Sequence, residues 1–439
     1  MRHVVVMALS GSAGLMFMFL VDLATLFWVS QIGIERLVAT VGFVWTIQFF
    51  TISIGIGLGI ATTALVSRAL GQGDGRRARE AATSAIVITA SLLITVAITV
   101  LFYRQELVAL AGATNETAEI AERFLLFSVP GLPMVGLAIT SAATLRAAGD
   151  AYRSMAVTFS AGLVAVFLDP LFIFGFGLGI DGAAMVVTLS RTLSGLLGLY
   201  FVVRIHNLAA RPSLSSVRLV FPALFVIAGP AILTQLAGPF ANGFVTHSVA
   251  AFGDAAVAGW SVASRINLVA FGGLFALSTA IGGIFGQNYG ASRLDRVRET
   301  YVNAMIYCTI YVTITWIALI ALNAWLSDVF NLSPAGAEIV ATFAWIGAGA
   351  TVFYGVLSVA ATAFNTLGRP LWATGLSWFR DAVCLVPLVW WATHVFGAPG
   401  AIYGQAGAIM IVGVLGGVLG WRFVNRLTPL VAHKTAPTS

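Results

Sequence analysis

The length of its apolar segments is what most constrains this chain. Roughly 20 apolar residues cross a bilayer core as one α-helix, and the sequence offers about twelve such segments. Charged residues make up only 9% of the chain, whereas soluble domains carry roughly 25%. The sequence therefore predicts an all-α polytopic membrane protein with 12 transmembrane helices. The predicted spans, numbered 1 to 12, are 5–29, 37–65, 82–103, 122–145, 152–175, 182–204, 222–250, 256–285, 300–325, 338–365, 370–396 and 399–424.

The polar loops of the first half recur in the second half at a nearly constant offset. Gly149 corresponds to Gly368 (368 − 149 = 219), and Glu80 corresponds to Glu299 at the same offset. Six spans in each half give both halves the same orientation, so the repeats should be related by a pseudo-two-fold axis along the membrane normal. We expect two six-helix lobes, and repeats of this kind usually enclose a transport site. The predicted divisions are an N-terminal lobe (1–207), a cytoplasmic linker (208–221) and a C-terminal lobe with a short tail (222–439).

Basic residues collect in alternate loops, which fixes the expected topology. The 219-related loops that contain Arg76 and Arg293 are both arginine-rich, as is the tail. By the positive-inside rule these loops and both termini are cytoplasmic. The net charge of +6 thus reflects topology rather than nucleic-acid binding. We expect a multi-pass protein of the plasma (inner) membrane.

Two carboxylates inside predicted spans are the main functional candidates. Asp22 lies in span 1 and Asp169 in span 5. Ionisable groups in a membrane are costly and mark functional sites by default, and burial disfavours the charged form of a carboxyl group. Such a group can load a proton on one side and release it on the other. The alternatives are a bound Na⁺ and a structural hydrogen bond or ion pair with Arg191.

Proline gives span 5 a second distinctive feature. Pro170 removes a backbone donor beside Asp169 and should bend the helix there, so it is a candidate hinge. Pro387 occupies the repeat-equivalent place in span 11 without an acid before it. The coupling chemistry is therefore expected in the N-terminal half. We interpret Arg265 as mainly structural and Arg380 with Asp381 as a neutralised pair.

Taken together, several segments resemble the MATE (multidrug and toxic compound extrusion) family over essentially the whole chain. They are Val21-Asp22, Val29–Gly33, Leu65–Asp74, Leu145–Asp150, Leu168–Gly175, Gly182–Ala184, Arg265-Ile266 and Gly286–Ala291. The resemblance implies a secondary active antiporter, not an enzyme, that exports amphiphilic, mostly cationic compounds in exchange for H⁺ or Na⁺. It assigns the coupling ion to Asp22 and Asp169, as in the prokaryotic branch with acids on helices 1 and 5. No cofactor besides that ion is implied, and we expect the protein to function as a monomer in the lipid.

Two departures from that branch favour H⁺ over Na⁺. Ala165 stands one turn before Asp169 where an Asn is usual, and Val187 occupies the place of a Thr, with Thr188 beside it. An oxygen cage for Na⁺ is therefore harder to assemble. We include Thr188 and Arg191 as a possible network around the acids.

The cargo cavity and two rival functions complete the expectations. Cavity candidates are Trp45, Phe49, Met134, Asn242, Phe275 and Tyr354. A lipid-linked precursor flippase of the same superfamily would need several arginines in the spans, which Arg191, Arg265 and Arg380 leave open. A membrane enzyme would need a polar catalytic cluster, and the five histidines are too scattered to suggest one.

Overall fold

The computed structural model describes residues 28–29, 35–110, 115–330 and 332–428, and all regular structure within these ranges is helical. Ten helical segments of this part are long and apolar enough to cross a membrane. They coincide with predicted spans 2–10 and span 12. Nearly all of span 1, including Asp22, lies outside the described residues.

The first half of the chain contributes seven α-helices to the described structure. They are α1 (Glu35–Gly71), α2 (Gly75–Phe102), α3 (Arg104–Leu110), α4 (Asn115–Ser128), α5 (Leu132–Ala147), α6 (Ala151–Pro170) and α7 (Gly179–Tyr200). A short 3₁₀ turn, Val129–Gly131, joins α4 to α5.

The second half contributes nine further α-helices. They are α8 (Leu214–Ala250), α9 (Asp254–Ala270), α10 (Gly272–Gly290), α11 (Leu294–Val329), α12 (Pro334–Thr342), α13 (Ala348–Leu367), α14 (Pro370–Trp378), α15 (Leu385–Phe396) and α16 (Gly400–Asn425). The helix of span 7 begins at Leu214, before the predicted start at residue 222, because the Ser213 hydroxyl caps it by accepting from the backbone N–H of Ser216. Part of the predicted linker is thus helical.

Short π-helical segments interrupt several spans. Leu171–Gly175 follows α6 directly after Pro170, and Phe379–Cys384 joins α14 to α15 to complete span 11. Pro170 has no N–H to offer the carbonyl one turn earlier, and the change in hydrogen bonding occurs where the sequence predicts a disruption. π-Helical turns are often found at functional sites, and these two lie at Asp169 and Asp381, the two buried carboxylates of the described ranges.

Each half packs its helices in the same pattern. In the first half α5 packs against α1, α2 and α7, and in the second half α13 packs against the equivalent helices α10, α11 and α16. The two halves meet through α1, which contacts α8, α10 and α13, while α10 also contacts α5. The repeat in the sequence is thus a repeat in the packing.

Candidate functional site

Asp169 lies at the end of α6 and is almost completely buried, with 1% of its surface exposed. One turn earlier on the same helix, Ala165 packs against Val186 of α7. The carboxylate is therefore placed in a buried, largely apolar region directly before the proline and the π-helical turn. The role of Pro170 as a hinge stays a prediction.

A polar cluster in the first half joins three helices around Arg191. The guanidinium of Arg191 on α7 donates from Nη2 to Oε1 of Gln48 on α1 at 2.5 Å and from Nη1 to the carbonyl oxygen of Ser128 at 3.2 Å. The Gln48 amide in turn donates to the Ser128 hydroxyl at 2.7 Å. Thr188, one turn before Arg191, donates its hydroxyl hydrogen to the carbonyl oxygen of Phe127 at 2.6 Å.

This arrangement brings the two predicted network residues together at the end of α4. Thr188 and Arg191 both contact the backbone of Ser128. Gly131 allows the close approach, since a side chain there would meet Cδ of Arg191 and Cα of Thr188 at 3.0 Å. Buried polar groups such as Gln48 and Ser128 require such partners, so the cluster fixes the relative positions of α1, α4 and α7.

Sequence reasoning did not identify Gln48 and Ser128. Both are buried, at 6% and 0% exposure. The available signal was Gln48 itself, a large amide in the middle of an apolar span. A neutral amide and a hydroxyl group are common enough in membrane helices that neither stands out without its partner.

The second half carries its own charged centre, built on span 11. Arg380 donates from Nε and Nη2 to the two carboxylate oxygens of Asp381 at 2.7 and 2.6 Å. Asp381 is 2% exposed. The guanidinium carbon also lies 5.0 Å from the ring centre of Tyr354. The prediction that these residues form a neutralised pair is confirmed.

Among the predicted cavity residues, the structure brings one pair together. Phe275 and Tyr354 lie together, with ring centres 6.1 Å apart, and Phe275 is 43% exposed. Phe49 and Met134 are half-buried and Asn242 is exposed. The side chain of Trp45 lies outside the described residues. The lining of a cargo cavity stays a prediction.

A charged turn lies at the end of the first half that the sequence predicts to be cytoplasmic. Asp150 caps α6 by accepting from the backbone N–H of Arg153 at 2.9 Å, and it also contacts the Arg153 guanidinium and, at 2.8 Å, His206. Burial raises the pKa of Asp150, but the hydrogen bonds from Arg153 and His206 outweigh it and hold the pKa below its usual value.

Comparison with known proteins identifies the family to which this architecture corresponds. The MatE family model matches the chain twice, over residues 12–171 and 230–391. The chain is 25% identical to the FAD transporter of Shewanella oneidensis over 98% of this chain and 96% of that protein. It is 22% identical to the multidrug export protein MepA of Staphylococcus aureus, over 82% of this chain and 80% of that protein.

Solved structures show the same fold. A mutant of the Vibrio cholerae MATE transporter VcmN superposes with a TM-score of 0.92 at 25% identity, covering 97% of both chains. A multidrug resistance MATE family transporter in an outward-facing conformation gives a TM-score of 0.91 at 22% identity, over 96% of this chain and 95% of the other. The predicted resemblance and the predicted twelve-helix, two-lobe fold are confirmed.

Proposed function

Because this chain belongs to the MatE family of transporters, we propose that it is a secondary active antiporter that exports amphiphilic, mostly cationic small molecules in exchange for H⁺. The observation that carries the proposal is Asp169. This carboxylate is 1% exposed inside a membrane span, one residue before a proline and a π-helical turn. A titratable group beside an interruption in the α-helical hydrogen bonding can couple its protonation to a change in helix packing.

In the proposed cycle, protonation of Asp169 and Asp22 removes their charges. The helix repacks at Pro170, the hold of the outward-facing cavity on its cargo weakens, and the cargo leaves. Proton release on the cytoplasmic side then restores the carboxylates and the affinity for the next cation. Asp22 lies outside the described residues, so its part in this step rests on the sequence alone.

The energy available from one proton is sufficient for concentrative export. One charge moving across 100 mV supplies roughly 2.3 kcal/mol, and one pH unit supplies about 1.4 kcal/mol more. Together these support a cargo gradient of roughly several hundredfold. The nearby side chains favour H⁺ over Na⁺, since Ala165 and Val186 contribute no oxygen atom to a cation cage.

The aromatic surface of the second half supports an amphiphilic cargo. Amphiphilic organic cations bind aromatic faces through both apolar contact and cation–π attraction. Phe275 and Tyr354 offer such faces beside a charge pair that is already neutralised. We further propose a location in the plasma membrane, with both termini cytoplasmic, and function as a monomer.

A transport assay in everted membrane vesicles tests the coupling ion. The pH gradient and the Na⁺ gradient are dissipated separately while a fluorescent lipophilic cation is followed. We expect uptake into the vesicles to stop when the pH gradient collapses and to continue without Na⁺. Loss of uptake only when the Na⁺ gradient collapses would reject proton coupling.

The variant Asp169→Asn tests whether Asp169 carries the coupling proton. We expect it to insert normally and to lose gradient-driven transport, since an amide cannot exchange a proton in this range. The matched control is Asp328→Asn, the same exchange at an exposed position near the end of α11. Full drug tolerance of a well-expressed Asp169→Asn variant would remove Asp169 from the coupling role.

A second candidate cargo is an anionic flavin nucleotide. The relative named as an FAD transporter aligns over nearly the whole chain, and Arg265 on α9 gives an apolar span an exposed cation. The same vesicles distinguish the two cargoes. Saturable uptake of FAD that is lost in Arg265→Gln, together with no uptake of the lipophilic cation, would favour the flavin.

A further inference from the structure

Two side chains that occupy the same place in the two repeats cross from one half of the molecule to the other. Arg68, near the end of α1, donates from its guanidinium to the carbonyl oxygen of Thr366 at the end of α13. Gln287, near the end of α10, donates from its amide to the carbonyl oxygen of Ala147 at the end of α5, at 2.6 Å. Donors and acceptors are each 219 residues apart, so the two hydrogen bonds are related by the pseudo-two-fold axis.

The accepting carbonyls are available because each ends a helix. The last carbonyls of an α-helix have no partner within it, and here the chain turns away at Gly149 (φ +88°) and Gly368 (φ +106°). In the turn at Gly149, the backbone N–H groups of residues 148–150 donate to the carbonyl oxygens of residues 144–146. The carbonyl oxygen of Ala147 is therefore left to accept from the Gln287 amide. Each half of the protein thus supplies a C-terminal cap for a helix of the other.

The backbones of α1 and α10 approach very closely at this point. A side chain on Gly71 would collide with the backbone of Gln287, and one on Gly290 would collide with the backbone of Arg68. These contacts are again repeat-related. Between them the buried Ser67 faces Gly286 so closely that a side chain at Gly286 would overlap its hydroxyl.

We propose that Arg68 and Gln287 form a reciprocal latch, with Thr366 and Ala147 as acceptors, that holds the two lobes together on the cytoplasmic side and opens once in each transport cycle. The latch rests on the transport function proposed above, but its state can be read without any cargo. It suits repeated opening because both acceptors are helix ends, which water can satisfy when the lobes separate.

Water has access to this seam from one side. A cavity of about 530 Å³ opens beside the latch and is lined in part by Leu70, Gly71, His206, Gln287 and Arg293. The cavity has polar groups on both lobes, so it can supply the water that replaces the latch hydrogen bonds. The release step then exchanges one set of hydrogen bonds for another.

The two arms of the latch should differ in strength. Arg68 brings a positive charge to the negative end of a helix dipole, and its guanidinium carbon also lies 5.8 Å from the ring centre of Tyr289. Gln287 contributes a neutral hydrogen bond. We expect loss of the neutral bond to raise the open fraction by roughly 2- to 12-fold, and loss of the charged one by about 12-fold or more.

Cysteine accessibility in everted vesicles measures the open fraction. The parent carries Leu70→Cys, at a half-buried position that lines the cavity beside the latch, with Cys308→Ala and Cys384→Ala, and a membrane-impermeant maleimide is applied to the exposed cytoplasmic face. We expect slow labelling in the parent, faster labelling in Gln287→Leu, and still faster labelling in Arg68→Ala. Arg77→Ala, which removes an exposed arginine from the first turn of the neighbouring helix α2, is the charge-matched control and should label at the parental rate.

A distance measurement covers the case in which Arg68→Ala does not insert. Spin labels at the exposed, repeat-equivalent positions Arg77→Cys and Arg296→Cys report the separation of the lobes on the same face. Arg68→Lys and Gln287→Leu should then broaden the distribution toward longer distances. Parental labelling rates and parental distances in the latch variants would overturn the proposal, whether or not the protein transports the proposed cargo. A transport defect with Asp169→Asn, by contrast, bears only on coupling.

Discussion

The ion pair in span 11 allows a quantitative test of whether its residues act as a structural unit. Asp381→Asn leaves the Arg380 guanidinium beside a neutral amide, and Arg380→Gln leaves the carboxylate without its cation. The double variant Arg380→Gln/Asp381→Asn removes both charges and retains groups that can hydrogen-bond to each other. The three variants form a thermodynamic cycle.

The geometry and burial of the pair set the expected loss in the free energy of unfolding. The pair is bidentate, with donor–acceptor distances of 2.7 and 2.6 Å, and side-chain exposures are 12% for Arg380 and 3% for Asp381. Removing one partner of a buried ion pair costs about 3–5 kcal/mol, because the remaining charge is left uncompensated, whereas removing both can be nearly neutral. We therefore expect each single variant to lose about 3–5 kcal/mol and the double variant to lose at least about 2 kcal/mol less than the sum.

The free energy of unfolding is measured by denaturation of the purified protein in mixed detergent micelles with increasing dodecyl sulfate. Circular dichroism follows the helices, and transport is assayed in parallel. If the losses in the single variants simply add in the double variant, the two residues do not act as a pair. If the double variant recovers stability but not transport, the pair has a function besides neutralisation.

Two further predictions concern the loop ends of the lobes. Asn caps helices about as well as Asp, so Asp150→Asn isolates the charge of the residue. The carboxylate has a lowered pKa, so it stabilises the fold above the unfolded pKa of about 3.9, and this contribution is lost as the pH falls through the folded value. We expect a stability deficit of up to about 1 kcal/mol at pH 7 in denaturation titrations. The deficit should begin to narrow below about pH 4 and vanish only below the folded pKa, and a deficit that is constant with pH would contradict the assignment. Gly368→Ala forces a side chain into left-handed backbone at φ +106° and should cost about 1–2 kcal/mol. Gly375→Ala, at an exposed position of α14 where a side chain meets open space, should be neutral or stabilising. Equal effects of the two substitutions on the free energy of unfolding would refute the strain argument.

The spans were predictable because their signal is strong and local. An apolar run of 20 residues has few alternatives, and the spans in the described ranges appear where the sequence placed them. The ends were less predictable. The helix of span 2 continues to Gly71 rather than stopping at residue 65, because hydropathy falls before the hydrogen-bonding pattern does. Only the glycine, which lets the chain turn away, marks the end.

The polar contacts were only partly predictable, because they depend on pairs far apart in the sequence. Arg380 and Asp381 are adjacent, and their pairing was foreseen. Gln48 meets Arg191 across 143 residues, and nothing local to either residue indicates the other. The donors of the latch could have been identified from the sequence, because Arg68 and Gln287 each stand three residues before a repeat-equivalent glycine. Their acceptors could not, because these are backbone carbonyl oxygens, which every residue carries.

The repeat conserves backbone geometry more closely than it conserves chemistry. Asp74 and Asp150 cap α2 and α6 in the first half, while their equivalents before α11 and α14 are Arg293 and Arg369, which make no side-chain cap. The latch likewise combines an arginine with a glutamine at one shared geometry. A two-fold scaffold allows the halves to move as similar bodies, whereas the antiport that we propose places its titratable group in one half. The buried carboxylate of α6 has no equivalent before Pro387, so under the proposed coupling a change in its protonation acts on one lobe only. The latch, which both lobes build together, is then the contact through which a change in one lobe can release the other.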